Sequence, residues 1–288
     1  MTAVYKRELR AYMNNVYGWL FMAVLLMFTS LMVFMDNLGN GYPQFEYALS
    51  DSQYALMILV PILSMRSMAE DKRAKTDMFY LSLPLKTSDV VLGKYLALLT
   101  IYAIPCGVIC TYPLVLGFFG DVNFLSAYVS IITFFLLGAA LIAVCQYLSS
   151  LTENLVVSAV LGVVATVVLY FLPVLSYFYP TSSMASFIGF VVLALLVAGI
   201  AFLVTRNLNV TAITGAALIV PLSLLYIFLK DSFVSLIPAL MEFVSPFIHF
   251  QQISNYGLFS IPSLILLLSY PVFFVFLTVQ SADKKRWA

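Results

Sequence analysis

The sequence predicts an all-α polytopic membrane protein of about eight transmembrane helices, six at the least, with both termini in the cytoplasm. Three observations lead there. Apolar and aromatic residues make up 63% of the 288 residues and only 9% are Asp, Glu, Lys or Arg, against about 25% charged in ordinary globular domains. So little charge cannot cover a soluble surface. The apolar residues arrive in runs of roughly 18 to 25, the length a helix rising 1.5 Å per residue needs to cross a ~30 Å hydrocarbon core. The ~10-residue alternating segments of a membrane β-barrel do not occur.

Taken in order, residues 1–15 set Val4, Leu9 and Met13 against Lys6, Arg7, Arg10 and Asn14, a pattern suited to a basic amphipathic helix on the inner leaflet. The first apolar run is too long for a secretory signal and lacks a small-residue cleavage site, so it is expected to remain as a span. Spans are predicted at 16–35, 50–67, 91–118, 125–148, 154–176, 185–205, 209–229 and 258–280. If the pair at 185–229 is a re-entrant hairpin, six crossings remain and the orientation is unchanged. Before the last span, 231–257 carries Phe233, Ile237, Leu240, Val244 and Phe247 at helical spacing. One or two amphipathic helices in the outer interface are expected there, broken near Pro238 and Pro246. No repeat divides the chain, and 1–288 reads as a single membrane domain.

Orientation follows from the cations, because basic residues are retained in cytoplasmic loops. With the N-terminus inside, Lys6, Arg7, Arg10, Arg66, Lys72, Arg73, Lys75, Lys86, Lys94, Arg206, Lys284, Lys285 and Arg286 are all cytoplasmic. That is thirteen of the fourteen basic residues, leaving only Lys230 outside. Acidic residues divide almost evenly, so the asymmetry belongs to the cations alone.

Several chemistries are disfavoured. No G-x-x-x-x-G-K-[ST] phosphate loop occurs, and Gly93-Lys94-Tyr95 lacks both the leading glycine spacing and the hydroxyl that would reach Mg²⁺. The chain is therefore not expected to hydrolyse ATP, and no cofactor, metal or nucleic acid is assigned to it. Cys106, Cys110 and Cys145 lie inside apolar runs and read as packing residues. His249 is the only histidine and converges with no nucleophile. Ionisable residues are almost missing from the spans, which argues against a proton-coupled carrier. Gln146, Tyr102, Tyr112, Thr133, Thr166, Tyr170 and Thr214 read as interhelical polar contacts.

The most informative segment lies at 66–90. Thr76 is placed to cap a short helix with Asp77 in its first turn, and Met78, Phe79, Leu81 and Leu83 give it an apolar face up to Pro84. Thr87 or Ser88, with Asp89, begins the next helix, which reaches the membrane around Gly93 and Lys94. A short apolar helix flanked by mixed charge suits docking to a soluble partner.

E-D-K-R-A-K-T-D-M-F-Y-L-S-L-P-L (Glu70 to Leu85) followed by V-V-L-G-K-Y (Val90 to Tyr95) resembles the coupling region of type-2 ABC transporter (ABC-2) permeases. Y-L-S-S-L-T-E-N-L-V-V-S-A-V (Tyr147 to Val160), the stretch from Phe247 to Gly257, D-K-K-R-W (Asp283 to Trp287) and Y-K-R-E-L-R (Tyr5 to Arg10) extend the likeness over nearly the whole chain. The branch it resembles includes gliding-motility and copper-reductase-associated permeases. Relatives often carry Gly immediately before the coupling Thr, where this chain has Lys75.

The resemblance implies a multi-pass permease subunit in a bacterial cytoplasmic membrane, paired with a second permease chain, identical or related. It also implies an ABC ATP-binding subunit that holds ATP and Mg²⁺. Contact with that subunit is expected at Glu70, Asp71, Lys72, Arg73, Thr76, Asp77, Phe79, Tyr80, Leu81, Leu83 and Pro84. A secondary contact is expected at Thr152, Glu153 and Asn154, where capping of the fifth span is the competing role. The expected function is ATP-driven export of an amphiphilic or hydrophobic substrate such as a lipid, peptide or drug-like molecule. The alternative is a mechanotransmitting scaffold that links the ATPase to an extracytoplasmic accessory protein without moving a solute.

Overall fold

The structure, a computed structural model, describes all residues except 76–85, 206–207, 229, 257–259 and 288. Every regular element among the described residues is helical. In chain order these are α1 (Thr2–Met13), α2 (Val16–Val33, followed by a π-turn at Phe34–Gly39), α3 (Phe45–Arg73), α4 (Thr87–Ile109), α5 (Tyr112–Leu116) and α6 (Phe124–Leu151). After them come α7 (Leu155–Phe178), α8 (Ser183–Thr205), α9 (Leu208–Phe228), α10 (Leu236–Val244), α11 (Pro246–Tyr256) and α12 (Ile261–Trp287).

Among the described residues, six stretches are long and apolar enough to cross a membrane: Val16–Gly39, Phe45–Arg73, Thr87–Leu116, Phe124–Leu151, Leu155–Phe178 and Ile261–Lys284. The chain is thus a multi-pass helical membrane protein. The pair expected at 185–229 is present as α8 and α9, whose apolar described parts, Ser183–Gly199 and Ile213–Phe228, are shorter.

Two predicted spans have different limits. The second is not the short 50–67 but the 29 residues of α3, about 43 Å at 1.5 Å per residue. Asp51 and Arg66 look like ends in the sequence, yet the helix runs past both, because neither side chain interrupts its backbone hydrogen bonds. The third span does not run unbroken to 118. It stops at Ile109 and restarts as α5 with Pro113 in the first turn, because proline disfavours a helical residue before it and has no N–H to continue the ladder.

The chain forms two compact units, Met1–Leu169 with Pro246–Ala288, and Tyr170–Ser245. In the first, α3 and α6 pack together at the centre, with α2, α4, α11 and α12 around them. Small residues allow the closest approaches. A Cβ on Gly138 of α6 would lie 2.3 Å from the Tyr102 ring of α4, and the Tyr102 hydroxyl donates to the Phe134 carbonyl at 2.7 Å. Pro61 interrupts α3 and, lacking an N–H, leaves the Met57 carbonyl without its i+4 donor. Thr166 of α7 supplies the missing donor at 2.9 Å, while Gly162, one turn earlier, presses on Pro61 itself. Gln146 donates to the Val91 carbonyl at 3.2 Å and Tyr112 meets Ser30 at 2.7 Å, so these intramembrane polar groups do serve helix contacts.

The segment before the last span breaks at Pro246, as its sequence suggests, whereas Pro238 sits within the first turn of α10, where its missing N–H costs nothing. Instead of lying on a surface, α11 sinks Phe247, Phe250, Ile253 and Ser254 out of solvent against α3, α6 and α12. Ser254 accepts from Ser50 at 3.1 Å and donates to the Glu46 carbonyl at 3.1 Å.

In the second unit α8 and α9 pack along one another. Phe187 stacks on Tyr226 at 4.5 Å and Phe233 meets the edges of Tyr226 and Phe190. Ser176 donates to the Glu242 carboxylate at 3.0 Å.

Candidate functional site

Four segments assigned to the cytoplasm meet at one end of the first unit: α1, the facing ends of α3 and α4, the α6–α7 turn and the end of α12. Their centre is Lys94. Its stripe on α4 is otherwise apolar, since Val90, Val91, Leu98 and Ile101 are all buried, and its side chain is only 3% exposed. A buried ammonium is costly unless paired and hydrogen-bonded. Lys94 lies 2.5 Å from Asp71 of α3 and 3.6 Å from Glu8 of α1, and it donates to the Ser67 carbonyl. One cation therefore ties together three helices, including both helices that flank 76–85.

Around this pair the contacts continue outward. Arg66 grips Glu70 through two hydrogen bonds of 2.9 and 2.7 Å and stacks over the Tyr17 ring at 4.4 Å, joining α3 to α2. The Tyr12 hydroxyl donates to the Leu63 carbonyl at 3.4 Å. Burial, reinforced by Glu8, pushes that phenol above its ordinary value. A pocket of about 50 Å³ opens among Glu8, Tyr12, Asn15, Arg66, Glu70, Asp71 and Lys94, polar enough and large enough to hold a water.

The approach of α1 depends on Gly93. A Cβ there would stand 3.2 Å from the Val4 side chain and from the Met1 carbonyl. Higher on the same contact, Tyr5 and Thr100 share a hydrogen bond of 3.1 Å.

On the other side, Ser149 of α6 reads the backbone of α3 directly. Its hydroxyl donates to the Met65 carbonyl at 3.0 Å and accepts from the Met68 and Ala69 N–H groups at 3.2 and 3.1 Å. Lys72 donates to the Ser150 carbonyl, and Ser150 reaches Ser281 of α12 at 3.2 Å.

Of the residues singled out in the sequence, Glu70, Asp71, Lys72 and Arg73 form the last turn of α3. The first three are engaged within the chain, while Arg73 is exposed. They are continuous with the second span and do not belong to a loop, because nothing between Met65 and Arg73 breaks a helix. Thr76, Asp77, Phe79, Tyr80, Leu81, Leu83 and Pro84 lie outside the described residues. The segment ends as its sequence suggests, with Thr87 opening α4 and Asp89 in its first turn.

Thr152 and Asn154 cap locally. The Asn154 side chain accepts the Val156 N–H at 2.9 Å, and Thr152 accepts the Asn154 N–H at 3.2 Å. Glu153, between them, is exposed. Lys75 adopts a φ of 55°, the left-handed conformation that glycine takes most readily after a helix.

Sequence reading missed the Lys94–Asp71–Glu8 cluster. Its one signal is a lysine within an apolar helical stripe, a pattern that equally suits a helix meeting the membrane surface. Among the described residues, no group of three or more His, Cys, Asp and Glu side chains could hold a metal. His249 faces Ser263 at 3.1 Å.

A family model described as ABC-2 family transporter protein matches residues 6–200. No curated protein and no solved structure matches the chain.

Proposed function

The chain belongs to the ABC-2 family of transporter proteins, and from that premise we infer that it is the permease half of an ATP-driven exporter of amphiphilic or hydrophobic molecules. Members of this family are membrane subunits that generally carry no catalytic site, and they associate with an ATP-binding subunit, often as dimers. In the reading offered here the chain sits in a bacterial cytoplasmic membrane beside a second permease chain, and the ATP and Mg²⁺ belong to the ATPase. Within the family it is assigned to the branch of gliding-motility and copper-reductase-associated permeases, on the sequence likeness described above.

The observation that carries this reading is the clamp at Lys94. Residues 76–85 are the proposed contact with the ATPase, and the helices on either side of them are joined by the Lys94–Asp71 pair. A push on the segment then moves the ends of α3 and α4 together, and Glu8 passes the displacement to α1. Rigid-body switching of this kind requires elements that move as units. Glu153, exposed in the α6–α7 turn at the same end of the first unit, is proposed as a second contact together with Thr152 and Asn154.

The test replaces Phe79 and Leu81 by Glu. The double variant is expected to insert in the membrane at wild-type levels but to lose both co-purification with the ATP-binding subunit and stimulation of its ATPase activity. Retention of both properties would overturn the assignment of 76–85.

A further inference from the structure

We propose that Lys6, Arg7 and Arg10 of α1 bind the phosphate headgroup of an anionic phospholipid in the membrane the chain spans. The observations divide α1 into three faces. Val4, Glu8 and Tyr12 are turned toward α4 and α2 and are consumed by packing and by Lys94. Leu9 and Met13 form a partly exposed apolar flank. The third face, away from the protein, carries Lys6, Arg7 and Arg10, all exposed, with Ala3, Ala11 and Asn14. These six residues line an open groove of about 420 Å³. The two alanines keep its floor low and the three cations stand along it. Arg7 also contacts Glu8, but Glu8 is turned inward, only 13% exposed, so the groove keeps its positive sign.

The level of the groove relative to the bilayer is marked by Trp19. This residue lies in the first turn of α2, which belongs to the first apolar stretch. It is 58% exposed, and its indole donates to the Met13 carbonyl at the end of α1 at 2.8 Å. Exposed tryptophan at the end of a span seeks the headgroup region. The helix held to it therefore lies at headgroup depth, with a cationic groove beside an apolar flank. Clustered Lys and Arg next to a span attract anionic lipid, and guanidinium groups match phosphate oxygens in paired hydrogen bonds. A free phosphate would satisfy the cations but not the adjoining apolar strip, so the occupant is the lipid. The inference depends on the chain being a membrane protein and not on what it carries.

Trp19 also supplies the measurement. It and Trp287 are the only tryptophans, so Trp287→Phe leaves one reporter at the groove. The full chain with that change is reconstituted in phosphatidylcholine bilayers containing brominated phosphatidylglycerol or, in parallel, brominated phosphatidylcholine, and Trp19 quenching gives the relative affinity. The expected result is a preference for phosphatidylglycerol of three-fold or more, falling to about one-fold in Lys6→Gln/Arg7→Gln/Arg10→Gln. It is expected to be retained in the charge-preserving Lys6→Arg/Arg7→Lys/Arg10→Lys. Millimolar inorganic phosphate at constant ionic strength should leave it unchanged. Equal quenching by the two lipids in the parent overturns the proposal whether or not the triple Gln variant folds. So does a preference that survives in that variant, or one abolished by inorganic phosphate, which would make the groove a site for the free ion.

Discussion

Lys94 and Asp71 stand 2.5 Å apart, on helices whose facing ends are separated in sequence by the segment proposed to meet the ATPase. Removing one member of a buried ion pair leaves the other uncompensated, at a cost of about 3–5 kcal/mol. Lys94→Met is expected near the upper end, since it strands Asp71 and Glu8 together. Asp71→Asn should cost less, because Glu8 and the Ser67 carbonyl stay with the lysine. Melting of the detergent-purified protein measures both. Neighbours that interact are non-additive, so Lys94→Met/Asp71→Leu should lose less than the two single changes summed. Strict additivity would show the two residues to be uncoupled.

Gly93→Leu should detach α1 without unfolding the bundle. The side chain would occupy the space of Val4, and overpacking costs roughly 1–3 kcal/mol, which α1 escapes by leaving. Limited proteolysis after Lys6, Arg7 or Arg10 is expected to accelerate at least ten-fold, while the spans remain protected. Unaltered cleavage would mean that α1 is not held at this glycine.

At the α4–α6 crossing, Gly138→Ala places a methyl group 2.3 Å from the Tyr102 ring and should destabilise by about 3 kcal/mol or slightly more. Tyr102→Phe, which loses the hydrogen bond to the Phe134 carbonyl and the contact with the Cys106 thiol, should cost about 1 kcal/mol. Tyr102→Leu in the Gly138→Ala background is expected to recover more of the loss than Tyr102→Phe, because removing the hydroxyl at 2.6 Å leaves the ring atoms at 2.3 Å in place. Equal recovery by the two would contradict the geometry.

Lys75→Gly is expected to be stabilising. A left-handed residue with a side chain is disfavoured by roughly 1–2 kcal/mol, and glycine removes that strain while returning part of the gain as freedom in the unfolded chain. The net rise should be somewhat under 1 kcal/mol, read as a higher melting temperature; Lys75→Val should lower it.

Tyr12 gives a pH dependence. Its folded-state value is raised, first by burial and then by Glu8, so the contribution it makes is complete below the ordinary phenol value of about 10 and fades as pH climbs beyond it. Nothing is expected to change between pH 6 and 9. Above pH 10 the wild type should lose melting temperature faster than Tyr12→Phe, which has no proton to lose. Parallel curves would place the phenol in water.

Much of this architecture was legible because the lipid solvent leaves few alternatives. A run such as Phe124 to Leu151, apolar on all sides, has to close its hydrogen bonds within itself, and α6 follows the prediction closely. Boundaries failed where charge was used as punctuation. Asp51 and Arg66 do not end α3, since an isolated charged side chain leaves the backbone hydrogen-bond ladder of a helix intact. Pro113 was a stop signal that the surrounding apolarity hid. At the candidate site, the start of α4 at Thr87 and the cap at Asn154 are local, and a sequence displays local signals. The Lys94–Asp71 pair is not local: 23 positions separate the two, and only the packing of α3 on α4 and α6 decides that they face. The burial of α11 was invisible for the same reason, because an amphipathic stripe does not reveal whether its apolar side will meet lipid or another helix.

The bond from Thr166 to Met57 gives α7 an unusual grip on its neighbour. The same hydroxyl lies 2.9 Å from the Val163 carbonyl of its own helix, so a small rotation releases α3 while leaving the threonine satisfied, and the whole loss falls on one proline-orphaned carbonyl. Such a fastening recloses at a single register, because the Met57 carbonyl has no i+4 donor of its own. Gly162, one turn before Thr166, lays the bare backbone of α7 against Pro61, so the two helices come closest where the hydrogen-bond ladder of α3 is interrupted.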